Sequence, residues 1–75
     1  MEIEPNNAYC YYNRGISEDK KGTTEEALRN FTKAIEIDGS KADFYSNRGF
    51  AYRKLQRFNE ALEDYTKSIN LNPST

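Results

Sequence analysis

The sequence predicts an all-α fold, an α-solenoid in which two antiparallel helix-turn-helix repeats supply four helices. Three observations predict it. The first is an internal period of 34 residues: AYCYYNRG at 8–15 aligns with ADFYSNRG at 42–49, and EEALRNFTKAIEI at 25–37 aligns with NEALEDYTKSINL at 59–71. Between residues 8–41 and 42–75 thirteen positions are identical, among them Tyr11/Tyr45, Arg14/Arg48, Gly15/Gly49, Ala27/Ala61, Leu28/Leu62 and Ile35/Ile69. A fixed period of this size signals a stack of supersecondary units, none of which buries its apolar face alone. The second is spacing: Leu28, Phe31, Ile35 and Leu62, Tyr65, Ile69 recur at i, i+3, i+7, the single stripe of an amphipathic helix, and the chain has no valine. The third is punctuation, because turn and capping residues fall between the stripes and not within them.

The first helix is expected near 7–21, with Tyr11, Gly15 and Glu18 as its stripe and Pro5 standing before it. Lys20 and Lys21 favour its negative C-terminal dipole end, and Gly22 supplies the left-handed residue that closes it. The second, near 24–37, opens on Thr23 and Glu26, which read as a capping box, and closes at Asp38-Gly39. The third, near 41–55, starts at Ser40 and carries Tyr45, Gly49 and Tyr52. The fourth, near 58–71, is less well punctuated: Gln56 stands for the turn glycine and Arg57 for the capping threonine, so the turn is expected to be held by packing of Leu55 and Phe58. Pro73 ends it. Links of two to four residues between helices of about 14 force antiparallel neighbours. Gly15, Gly49, Ala27, Ala61 and Ala34 are read as the small residues that let axes approach, with Tyr11, Phe31, Tyr45 and Tyr65 filling the space between.

Composition bounds the function. Only 36% of the 75 residues are hydrophobic, against roughly 45–50% in average domains, so the core is thin and function is sought on a surface. Eleven basic and twelve acidic residues intersperse; the basic candidates Lys20, Lys21, Arg53 and Lys54 are interrupted by Asp19 and Asp43, which argues against nucleic acid. No apolar run is long enough for a membrane helix and no signal peptide is evident, so a soluble, intracellular, cytoplasmic chain is expected. A single cysteine, Cys10, read as a small, partly packed residue, and the absence of histidine leave no disulfide, metal site or cofactor. The carboxylates Glu25, Glu26, Glu60, Glu63 and Asp64 read as solvated helix-face or cap residues, and no constellation suggests an enzyme.

The aromatic, glycine, alanine, aromatic and proline pattern of the repeats resembles the tetratricopeptide repeat. Residues 42–75 show it as Tyr45, Gly49, Tyr52, Ala61, Tyr65, Ser68 and Pro73; residues 8–41 show Tyr11, Gly15, Ala27, Phe31 and Ala34, with Glu18 where the family usually has tyrosine and Gly39 where it usually has proline. Residues 1–7 match the tail of a preceding repeat, so the organisation reads as 1–7 tail, 8–41 first repeat and 42–75 second repeat. The resemblance implies a right-handed superhelix. At the departures, Glu18 is expected to pair with Arg14 four residues earlier, and the stems of Arg14 and Arg48 to cover apolar surface while their guanidinium groups reach water or stack on tyrosine.

The resemblance further implies a noncatalytic protein-protein interaction module that binds a peptide or helix of another protein in a groove lined by the first helix of each repeat. The matching positions are Tyr9, Tyr12, Asn13, Ile16, Asp19 and Lys20, then Asp43, Ser46, Asn47, Phe50, Arg53 and Lys54. A subgroup clamps the C-terminal carboxylate of heat-shock chaperones; Asn47 matches one clamp asparagine, but Tyr12 and Ile16 occupy the first-repeat lysine and asparagine positions. Two repeats fall below the roughly three that a stack needs, so Leu62, Tyr65 and Ile69 are expected to stay partly exposed. The alternative reading is accordingly a structural fragment that forms homo-oligomers through its open ends.

Overall fold

The computed structural model describes residues 7–72. It contains four α-helices: α1 (Ala8–Lys21), α2 (Thr24–Ile37), α3 (Ala42–Lys54) and α4 (Phe58–Leu71). Among the described residues there are no strands. The helices pack as two hairpins, α1 on α2 and α3 on α4, joined through α2 against α3 with a smaller approach of α1 to α3. The body measures 39 × 28 × 18 Å. Every expected helix is present and each boundary falls within one residue of its expected place. Pro5 and Pro73, and the tail assigned to residues 1–7 except Asn7, lie outside the described residues.

The small-residue reading is quantitative at two positions. A Cβ on Gly15 would lie 2.7 Å from the Phe31 ring, and one on Gly49 would lie 3.0 Å from the Tyr65 ring and 3.2 Å from the Ala61 carbonyl. Glycine therefore sets the distance between the axes of each hairpin. Two apolar clusters form the core: Ala27, Leu28, Phe31 and Ala51, and Ala8, Ala34 and Phe44. Phe31 and Phe44 are the largest fully buried side chains. Tyr12 packs against both clusters and joins them.

Both hairpin turns use the same backbone device. Gly22 has φ +92°, and its N–H donates to the Asp19 carbonyl at 3.1 Å while Thr23 N–H donates to the Glu18 carbonyl at 3.0 Å. In the second repeat Gln56 adopts φ 64°, with Gln56 N–H donating to the Arg53 carbonyl and Arg57 N–H to the Tyr52 carbonyl, each at 2.9 Å. Glycine meets this conformation without Cβ strain; glutamine does not. The expected packing support is only half present, since Leu55 joins the core but Phe58 is 61% exposed.

Several local expectations are corrected. Thr23 forms no capping box: its hydroxyl turns back to the Glu18 carbonyl at 2.9 Å and the Glu18 carboxylate at 2.6 Å, so Glu26 is left to Arg29 at 3.5 Å. That same hydroxyl, together with Lys21 at 3.9 Å, occupies Glu18, and Arg14 stacks instead over Tyr11 at 5.6 Å. No Arg14–Glu18 bridge forms. Ser40 does not start α3; its N–H and hydroxyl donate to the Asp38 carboxylate at 3.1 and 2.6 Å, holding that carboxyl below the usual range, and Lys41 occupies the N-cap. Cys10 is exposed, not partly packed.

Asp64 is the largest correction. It is 4% exposed, and Arg48 grips it through Nε at 2.8 Å and Nη2 at 2.9 Å. Arg48 also reaches the Thr32 hydroxyl of the preceding repeat at 3.3 Å and stacks on Tyr45 and Tyr52, as its stem and plane suggested. Its hydrogen bonds to Asp64 hold the guanidinium above its ordinary value despite burial. A planar fork matched to a carboxylate satisfies both groups where one unpaired charge would be costly.

Candidate peptide groove

The candidate positions lie on α1 and α3 and are joined by two polar ties. Asn47 Nδ2 donates to the Tyr12 hydroxyl at 2.9 Å. Lys54 Nζ donates to both Asp19 oxygens, at 2.9 and 3.0 Å. These contacts link side chains 35 residues apart and connect the two repeats along one surface. Around the first tie the aromatic rings interlock: Tyr12 lies 4.7 Å from Phe44 and 5.9 Å from Phe31, and Tyr9 meets Phe44 edge-on at 5.3 Å. Lys41 sits 5.9 Å above Tyr9.

The candidates divide by what remains available. Tyr9 is 50% exposed and Phe50 41% exposed. Asn13, Asp43 and Arg53 are exposed, whereas Ser46, Asn47 and Asp19 are half-buried. Tyr12 and Ile16 are half-buried and pack on the core, so they serve the fold as well as the surface. Burial pushes the Tyr12 hydroxyl above the ordinary tyrosine range, with nearby Asp43 and Tyr9 acting in the same direction. Ser46 donates to the Asp43 carbonyl at 3.2 Å. Asn47 Nδ2 also donates to that carbonyl, at 3.0 Å. Both amide hydrogens of Asn47 are thus used, and its Oδ1 is the atom left for a further partner, as an acceptor.

Two residues important to this surface are not assigned to it by the sequence: Phe44 is not singled out at all, and Phe58 reads as turn packing. Phe44 forms its floor, fully buried between the hairpins, and its counterpart 34 residues earlier is Cys10, so comparison of the repeats concealed it. Phe58 belongs to α4 but joins Phe50, Arg53, Lys54 and Gln56 around a cleft of about 390 Å³. Among the described residues no cluster of histidine, cysteine, aspartate or glutamate could hold a metal ion. None of the described helices is long and apolar enough to cross a membrane. The edge candidates Leu62 and Ile69 are 65 and 60% exposed, and Tyr65 is half-buried.

A family model described as tetratricopeptide repeat matches residues 42–75, and another described as TPR repeat matches residues 20–56. The chain belongs to the tetratricopeptide repeat family. Its fold is that of a protein-protein interaction module. Among solved structures it is similar to the second TPR of Spaghetti (RPAP3) bound to the HSP90 peptide SRMEEVD, with 37% identity and a TM-score of 0.89 over 91% of this chain and 63% of that one. An Arabidopsis OM64 TPR domain is 27% identical, with a TM-score of 0.88 over 89% of this chain and 55% of that one. MamA is 26% identical, with a TM-score of 0.91 over 93% of this chain and 41% of that one. The TPR chain thus spans less than two-thirds of each of these structures. No curated protein matches it by sequence.

Proposed function

We propose that the chain binds a peptide segment of a partner protein along the surface of α1 and α3, without catalysing a reaction on it. The observation that carries this reading is the pair of half-exposed rings, Tyr9 and Phe50, on helices already tied together by Asn47–Tyr12 and Asp19–Lys54. Exposed aromatics on a preorganised surface contribute binding area at small entropic cost. Asn47 Oδ1 supplies an acceptor for a peptide N–H. The RPAP3 domain bound to an HSP90 peptide supports peptide binding by this fold.

It does not carry the carboxylate clamp across. Tyr12 and Ile16 stand at two clamp positions, and the Asn47 N–H groups are already engaged within the protein. A carboxylate needs several donors to leave water.

The test is selection of a displayed peptide library on the intact chain, followed by affinity and ¹⁵N chemical-shift mapping with the selected peptide. Expected are shifts at Tyr9, Asn47 and Phe50 and a loss of about tenfold for Phe50→Ala, the scale of one interface aromatic. Shifts confined to α2 and α4 would refute the groove.

Self-association is the second reading, favoured by Leu62 and Ile69 on the outer face of α4. The positions of α1 equivalent to Phe44, Ala51 and Leu55 of α3 are Cys10, Ser17 and Lys21, all exposed. An end-to-end stack therefore lacks an apolar partner, and two copies would meet α4 against α4. Sedimentation equilibrium decides it; a monomer at millimolar concentration excludes this contact.

A further inference from the structure

Four cationic or aromatic side chains converge where α3 ends and α4 begins. Phe50 and Phe58, 41 and 61% exposed, line one cleft, and Arg53 and Lys54 lie 5.8 and 5.0 Å over the Phe50 ring. The cations differ in how they are compensated. Lys54 is bound to Asp19, whereas among the described residues no carboxylate lies within ion-pair distance of Arg53. The nearby Arg57 is also occupied, by Glu60 at 2.9 Å. Among the side chains lining the cleft none is acidic.

The placement of these groups is set by the backbone. Gln56 in the left-handed region, with its N–H bonded to the Arg53 carbonyl, reverses the chain and brings Phe58 alongside Phe50. Stacking restricts the Arg53 guanidinium before any ligand arrives, and a planar fork suits a carboxylate better than a point charge does.

We propose that this cleft recognises an acidic residue adjacent to a bulky apolar one in the partner peptide. The carboxylate pairs with Arg53 while the apolar side chain lies between Phe50 and Phe58. This inference rests on the peptide-groove reading and gives the groove a chemical preference at one end. A single-stranded nucleic acid offers phosphates and stacking bases to the same groups, but one uncompensated arginine, beside a lysine already held by Asp19 and on a helix that carries Asp43 in its first turn, is a poor backbone track.

The experiment uses the whole chain and two fluorescein-labelled probes, Gly-Leu-Asp-Phe-Glu-Gly amide and the same peptide with Asn and Gln in place of its acids. Anisotropy gives affinity and ¹⁵N shifts give location. The acidic probe is expected to bind about tenfold more tightly than the neutral one, the range of a charge-assisted hydrogen bond. Arg53→Gln should abolish that preference, Phe58→Ala should weaken both probes, and Lys33→Gln should change neither; circular dichroism verifies that the variants stay folded.

Equal binding of the two probes, with shifts along α1 and α3, overturns the acidic preference and leaves the groove standing. No shift on α1 or α3 with either probe at millimolar concentration counts against both. Tighter binding of a twelve-residue oligothymidylate than of either peptide, lost in Arg53→Gln, also overturns the proposal in favour of nucleic acid.

Discussion

Leu28 on α2 and Leu62 on α4 are the same residue at the same station of the repeat, yet one is 8% exposed and the other 65%. Ile35 and Ile69 differ in the same sense, half-buried against 60% exposed. The helices are nearly equal in length and each packs on its hairpin partner. What differs is α3, which lies against α2 and brings Ala51, Tyr52 and Leu55 to Leu28, while α4 has α3 as its sole helical neighbour among the described residues. In a repeat array the burial of a side chain is decided by the adjoining unit as much as by its own helix.

The most severe way to break the comparison is Phe44→Ala. Removing this fully buried ring should cost about 3–5 kcal/mol, enough to abolish a cooperative thermal transition in so small a domain, whereas Cys10→Ala at the equivalent exposed position should leave the transition unmoved. Asp64→Ala should cost about 3 kcal/mol by leaving the Arg48 charge without its partner. Its counterpart, Asn30→Ala, loses only a surface hydrogen bond to the Glu26 carbonyl. Urea titration of both variants measures the difference.

Leu28→Ala should cost about 2–4 kcal/mol and Leu62→Ala less than about 0.5 kcal/mol. Equal costs would mean that α4 is covered in solution, which a concentration-dependent melting temperature would then reveal.

Gln56→Gly should stabilise by about 0.5 kcal/mol, because relief of left-handed strain of about 1–2 kcal/mol is partly offset by the backbone entropy of glycine. The converse Gly22→Gln should destabilise. The smallest expected effect is in alkali. Since the folded pKa of Tyr12 is raised, its contribution is complete below the unfolded value near 10 and is lost as pH rises from there through the folded value. Tyr12→Phe should flatten the fall of stability above pH 10 in parallel denaturant titrations.

The helices and hairpins were legible because their signals are local: the i, i+3, i+7 stripes, Lys20-Lys21-Gly22, and the small residues opposite aromatic ones. What escaped depends on partners distant in sequence. Asp64 reads as a solvated carboxylate until Arg48, on another helix, is seen to cover it. Thr23 reads as a cap until its hydroxyl is found on the preceding turn. The candidate groove positions follow from the family resemblance, which places them on each first helix but does not show the division of labour among them. Whether Tyr12 is free to meet a ligand depends on where Phe44 inserts, and the repeat alignment places a cysteine opposite that phenylalanine.

The double attachment of Tyr12 restricts how such a surface can diversify. One side chain closes the seam between two core clusters and presents its hydroxyl to Asn47 at the surface. Replacing it to suit a new ligand would loosen the seam, and loosening the seam would shift the angle between the two hairpins across which the proposed groove runs. Variation is cheaper at Phe50 and Arg53, which stand outside that joint, and at Tyr9, which is half-exposed and meets it only edge-on. New specificities should therefore arise at the two ends of the proposed groove while its middle stays the same.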